Sequence, residues 1–283
     1  MRLVTGDYRY DRAYWVRLVG MRESLQFADI DARWEETARR VVVRTSNVSD
    51  FTIDVSAFGA APPDRAVVDD IELPLPAGAP TVWLDRAGGA WRAGTEARPR
   101  GGAKHRGVAG PLDDVLRHPL WIVYGTQDAT QTEANRMTAE QLALHDAFSG
   151  GRFPVKPDHE VGEGDLAGRS LVLVGNPGSN RVTALLGDAL GVRFEGGALL
   201  FRGKRYEGDT VGISVIRPNP RDPEQYVVLH AGVGSRGTLA ARHLPQLAPD
   251  WLVYDERITA QRGELLLGRR PVLDGGFFSD EWQ

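Results

Sequence analysis

PLWIVYG, residues 119–125, is an unbroken apolar run of strand length, and how it is read decides the fold. A strand with one wet face alternates apolar and polar side chains; a strand covered on both faces need not. SLVLVG at 170–175 repeats the pattern. Between the two runs, Thr130 and Glu133 stand in capping-box relation, which predicts a helix to about Phe148 with Ala134, Met137, Leu144 and Phe148 facing inward. After the turn NPGSN a second helix is predicted, with Val182, Leu185, Leu186 and Ala189 on one face and Gly191 as its left-handed stop. Further strands are predicted at 198–201, 212–216, 226–230 and 251–254. Such alternation, with right-handed crossovers, implies a three-layer α/β domain with a mostly parallel sheet, Rossmann- or flavodoxin-like, over residues 119–283.

Towards the amino terminus the rhythm differs. In FTIDVSA, Phe51, Ile53 and Val55 alternate with Thr52, Asp54 and Ser56, the period of a half-exposed strand. Short β-branched or aromatic runs at 14–19, 41–45, 66–73 and 81–84 are separated by polar or Pro/Gly punctuation. This predicts a β-sandwich over residues 1–98, with Trp15, Trp34, Trp83 and Trp91 as core and rim anchors. Residues 99–118 read as a linker, where Lys104 and Arg106 are expected to pair with Asp113 and Asp114 and fix the interdomain angle.

Composition narrows the function classes. The 283 residues include no cysteine, so there is no disulfide framework, thiol nucleophile or zinc–thiolate site. A net charge of -4 argues against non-specific nucleic-acid binding. No apolar run reaches a membrane span, and the opening MRLVTGDYRYDR lacks an apolar signal core, so a cytoplasmic location is expected. Only 3 of the 34 basic residues are lysines, which GC-rich coding explains better than a phosphate-binding surface.

Chemical motifs are sparse. No G-x-S-x-G elbow exists, so the strained turn that exposes a hydrolase serine is missing. No histidine pair has the i, i+4 spacing of a zincin, and no cofactor motif stands out. His230 closes the buried-looking run YVVLH and is expected to point into a cleft at the sheet's edge. GNPGSN, 175–180, follows a strand and opens a helix, so its N–H groups suit an anion, a peptide carboxylate as well as a phosphate. It lacks the Walker lysine and the spaced glycines of a dinucleotide loop, and a tight turn with Ser179 or Asn180 as N-cap is the simpler reading. RPNPRDP, 217–223, reads as a rigid loop between strands.

KHRGVAGPLDD, FPVKPDHEV, LVLVGNPGSN, RPNPRDPEQYVVLHAG and the terminal FFSDEWQ together resemble the region that follows the catalytic domain in bacterial prolyl-oligopeptidase-like α/β hydrolases. NVSDFTIDV resembles that region's β-rich beginning. The hydrolase half, with its serine elbow, is not in this chain, so no peptidase residue carries over. By domain content and size the chain is also similar to the stand-alone peptide-binding proteins of crocagin-type ribosomal-peptide pathways, which make pyrroloindoline rings. That resemblance implies a protein, without cofactor, that holds a precursor peptide by its leader or core while separate enzymes, a tailoring oxygenase among them, modify it.

The expected function is therefore non-hydrolytic peptide binding, in a groove between the two domains. Candidate contacts are Lys104, Arg106, Asn176, Gly178, Ser179, Asn180, Arg217, Asn219 and His230. The rival is a cofactor-free cyclase using His230, Asp113, Asp114 or Glu160 as general base. A third reading, a carbohydrate-binding or scaffold module, rests on exposed tryptophans stacking on sugars, and assigning those tryptophans to the core weighs against it.

Overall fold

A computed structural model describes residues 1–24, 26–97, 102–144, 151–245, 247–260 and 272–283. The chain divides into two compact units, Met1–Ala109 with Phe278–Gln283, and Gly110–Phe277.

Among the described residues the first unit holds ten strands: β1 (Arg2–Thr5), β2 (Arg12–Ala13), β3 (Val16–Met21), β4 (Ala28–Glu35), β5 (Arg40–Ser46), β6 (Val48–Asp54), β7 (Arg65–Val68), β8 (Ile71–Pro74), β9 (Thr81–Ala87) and β10 (Ala90–Gly94). They form two sheets, ordered β1-β4-β5-β7-β8 and β10-β9-β6-β3-β2. Alternation does the building. In β4 Ala28, Ile30 and Ala32 turn inward, and in β3 Val16 and Leu18 do. Both sheets give their inner residues to one cluster, including Ile30, Val41, Val43, Phe51, Ile53 and Leu84. Trp91 is the tryptophan of that core; its indole N–H donates to Asp69 at 2.9 Å. Trp15, Trp34 and Trp83 are only half-buried.

Phe278–Gln283 belongs to this unit by direct contacts. Tyr8 donates its hydroxyl proton to the Asp280 carboxylate and accepts from the Met21 N–H at 2.8 Å. The Lys104 ammonium lies 4.8 Å from the centre of the Trp282 ring, and both residues are buried. A desolvated cation over an indole face is a strong form of this contact.

Among the described residues the second unit has ten more strands: β11 (Leu120–Tyr124), β12 (Val155–Pro157), β13 (Ser170–Val174), β14 (Val192–Glu195), β15 (Ala198–Phe201), β16 (Lys204–Glu207), β17 (Gly212–Asn219), β18 (Asp222–Gly232), β19 (Trp251–Tyr254) and β20 (Val272–Gly276). Its helices are α1 (Ala129–Ala143), α2 (Arg181–Leu190) and α3 (Ser235–Ala240). Seven strands make one sheet, β12-β11-β13-β18-β17-β19-β20.

This sheet overturns the expected three-layer α/β domain with a mostly parallel sheet. β12, β11, β13 and β18 run parallel, but β18/β17, β17/β19 and β19/β20 are antiparallel, so the sheet is mixed. Strand outweighs helix overall, 42% to 22%. Two features of the sequence produce the difference. RPNPRDP is not a loop: Arg217, Pro218 and Asn219 end β17, and Asp222 begins β18 after a two-residue turn, a connection that can only join antiparallel strands. The predicted strand at 198–201 leaves the main sheet for a separate meander, β14-β15-β16. Its turns are Gly196–Gly197, with φ of 58° and 70°, and Arg202–Gly203, with 50° and 76°. Two left-handed residues in succession make the tight hairpin turn whose twist matches its strands.

The helices differ in detail from their predicted stripes. α1 starts two residues earlier, with Asp128 as N-cap accepting from the Thr130 N–H at 2.8 Å, and it buries Ala134, Asn135, Thr138, Ala139 and Ala143. Met137 and Leu144 are 39% and 51% exposed, and Phe148 lies outside the described residues. Small residues face inward because α3 lies close: the Thr138 hydroxyl donates to the Thr238 carbonyl. In α2 Leu185 and Ala189 are exposed, Asn180 caps the start and Gly191, at φ 67°, the end.

Hydrogen bonds from Thr130 and Gln131 hold the Asp128 carboxyl below the usual aspartate range. A depressed carboxylate stabilises the fold fully above its unfolded pKa of about 4 and loses that contribution as pH falls below it. Asp128→Ala is therefore expected to cost about 1 kcal/mol at pH 7. In urea titrations, the gap from the parent should close as pH drops towards 2.5 (roughly the acid limit of carboxylate ionisation).

Candidate functional site

GNPGSN links β13 to α2 at the carboxyl end of the parallel strands, where open α/β sheets commonly bind ligands. Gly175 sits at φ 112°, and a Cβ there would lie 2.6 Å from Ser179 Oγ. Most of the loop's donors are already used. Asn176 Oδ1 accepts from the N–H groups of Gly178 and Ser179 at 3.0 and 3.1 Å, and Asn180 Oδ1 from those of Val182 and Thr183. The Arg181 N–H donates at 2.8 Å to Asp158 Oδ2. Asp158 is fully buried; its other oxygen accepts from the Thr126 N–H and hydroxyl, and Gln127 Nε2 also donates to Oδ2. The carboxylate that suits this helix start is thus one of the protein's own. The sequence singles out Glu160 in this stretch but not Asp158; a Pro-Asp step after a short strand is a weak signal.

The other candidates are divided between the two units. Lys104 and Arg106 belong to the first unit, where Lys104 is buried on Trp282 and Arg106 is exposed. Asp113 and Asp114 belong to the second unit: Asp114 accepts from the Tyr226 hydroxyl at 2.6 Å and lies 3.5 Å from Arg117, and Asp113 accepts from the Leu247 N–H at 3.0 Å. Asn219 is buried, donating to the Leu166 carbonyl and accepting from the Arg221 N–H, which fixes the β17–β18 turn. Burial, with Arg202 nearby, pushes Arg217 down to about 10. Glu160 is exposed, and His145 lies outside the described residues.

His230 is different. It lines a cavity of about 410 Å³ in the second unit. The sheet contributes Leu120 and Ile122 from β11, Val172 from β13 and His230 from β18. Leu142 of α1, the short 3-10 helix Leu112–Arg117 and the segment 241–248 complete the lining. Nearly all of it is aliphatic; Asp113 and Arg242 are the other charged or titratable groups in it. A volume of this size falls within the range of small-ligand pockets, which pair apolar walls with a few fixed polar groups.

Register explains how His230 is held. Ser214 stands directly opposite it across β17/β18, and Ser214 Oγ and His230 Nδ1 are 2.7 Å apart. Tyr254 Oη lies 3.2 Å from the same Oγ, and burial holds its phenol far above the usual tyrosine range, so it remains a neutral hydroxyl. This is not a hydrolase arrangement: Ser214 is fully buried in mid-strand, where no substrate carbonyl reaches it, and its third partner is a phenol. Ser214 orients the imidazole instead. Ser214→Ala removes contacts from both His230 and Tyr254 and is expected to cost about 2 kcal/mol, whereas Tyr254→Phe should cost under about 1 kcal/mol. Thermal denaturation of the two variants checks the order.

Among the described residues no group of three or more His, Asp or Glu side chains is placed to hold a metal ion, and no helix is long and apolar enough to cross a membrane. No family model matches the chain, and no curated protein does.

Proposed function

We propose that this protein binds a ribosomal precursor peptide in the cytoplasm without hydrolysing it, and holds it for partner enzymes of a natural-product pathway, with one apolar side chain of the peptide seated in the cavity beside His230. The observation that carries the reading is the cavity itself: about 410 Å³, aliphatic walls and one oriented imidazole. That combination suits an aromatic or large aliphatic anchor with a polar edge, the kind of residue that dominates peptide recognition energetics. The resemblance of the quoted segments to the region following the hydrolase domain, with no serine elbow in the chain, supports binding without cleavage.

The test is calorimetric titration with the precursor peptide encoded beside this gene. Saturable binding in the micromolar range is expected, and none at high micromolar concentration would overturn the reading. A cyclase remains the second reading because His230 is held by Ser214 in the cavity wall, as a general base would be. His230→Gln separates the two: product formed by the assembled pathway survives in a binder and is abolished, with peptide affinity intact, in an enzyme.

A further inference from the structure

The sheet β10-β9-β6-β3-β2 turns Val16, Leu18, Phe51, Ile53, Val82 and Leu84 inward. Its opposite face is expected to carry polar side chains, yet the Trp83 indole sits there, and Trp15, packed in part against the core cluster, borders it. Register places Arg12, Arg17, Thr52 and Trp83 in one row across four strands. Trp15 and Asp54 belong to the next row, joined by the Asp54 N–H to the Trp15 carbonyl at 2.8 Å. These six residues line a concavity of about 320 Å³.

We propose that this face binds a neutral, hydroxyl-rich ring ligand, a pyranose oligosaccharide. The site lies wholly in the first unit and does not depend on the peptide reading. Two observations select this chemistry. Each cation already has its counter-charge: Arg12 lies 3.3 Å from Asp54, and Arg17 lies 3.1 Å from Asp11. A charged ligand would have to break such a pair, whereas a hydroxyl, donor and acceptor at once, bridges guanidinium and carboxylate without disturbing the balance. The indoles supply flat, electron-rich faces that attract the C–H groups of a sugar ring. Trp15 is held in place by Phe58, with ring centroids 5.0 Å apart. Strand spacing and residue rise put the Trp15 and Trp83 backbones about 12 Å apart, room for two linked six-membered rings. A peptide is the poorer occupant, because main-chain pairing needs a sheet edge and this surface is a sheet face.

The experiment is tryptophan fluorescence titration of the full chain with maltohexaose, cellohexaose, xylohexaose and mannohexaose. Saturable binding of at least one is expected, weakened roughly tenfold or more by Trp83→Ala. Arg12→Ala, on an exposed edge strand, should weaken it similarly and keeps the test intact if Trp83→Ala fails to fold. No saturable response to any of these sugars at about 5 mM would overturn the proposal, since that limit is weaker than any useful affinity. So would binding that both variants leave unchanged, or displacement of the sugar by the precursor peptide.

Discussion

Asp158→Ala is expected to destabilise the second unit by about 3–5 kcal/mol, enough to unfold it at moderate temperature. The carboxylate is fully buried and accepts from Thr126 twice, from Gln127 and from the Arg181 N–H. Hydrogen bonds to a buried charge each contribute about 1.5–3 kcal/mol, and removing the acceptor leaves donors desolvated without a partner. The loss also reaches α2, whose first turn places its positive end against that carboxylate. Arg181 has a second hold, since its Nε donates to the Asp158 carbonyl at 2.6 Å, so the loop is not expected to detach completely. Asp158→Asn keeps the shape but turns an acceptor into a donor facing other donors, and should recover little. Urea unfolding of both variants by far-UV circular dichroism gives the comparison; a loss below about 1 kcal/mol for Asp158→Ala would show that the carboxylate is not what organises the loop.

How much of this was legible in the sequence depends on the range of the interaction concerned. Asn180 as N-cap, Gly191 as helix stop and the alternation of β6 are local, set by residues within a turn of one another. Strand direction is not local. Whether 212–219 runs parallel or antiparallel to its neighbour turns on a two-residue connection, and a proline-rich stretch such as RPNPRDP looks like a loop until the strands on either side are seen to include it. Likewise Thr138 and Ala139 do not look like core, and they became core because α3 approaches closely enough to exclude larger side chains.

The candidate residues divide on the same principle. His230 was singled out because it ended an apolar run, and a cavity was found beside it. Leu120, Ile122 and Val172 lie in strands read from the sequence, but much of the other lining was not legible, since Leu112, Val115 and Leu116 come from a short 3-10 helix and Leu244, Pro245, Leu247 and Ala248 from an irregular segment. Periodicity has nothing to act on in either. GNPGSN looked like an anion loop because spare donors can be counted from sequence, whereas the buried Asp158, which takes the N–H of Arg181 just after the loop from 23 residues upstream, cannot be paired with it without coordinates.

Filling the cavity is expected to weaken precursor binding roughly 100-fold, about 2.7 kcal/mol, in the double variant Leu116→Trp, Leu142→Trp. Burying an aromatic anchor of about 150–250 Å² at about 25 cal/mol per Å² stabilises the complex by about 4–6 kcal/mol before ordering costs. A variant that keeps the anchor from full insertion forfeits roughly half of that. Leu116 and Leu142 are the positions to change because both line the cavity and both are half-buried, so added ring atoms displace into open volume. Enlarging Ile122 or Val172, which are close-packed on the sheet, would overpack it and confuse binding with folding. The double variant should therefore melt within a few degrees of the parent while its calorimetric titration with the precursor peptide flattens. Arg193→Ala, at an exposed residue of β14 that does not line the cavity, is the control and should leave the affinity unchanged. If the filled variant binds as tightly as the parent, the cavity is not where the peptide is anchored, and the role given to His230 falls with it.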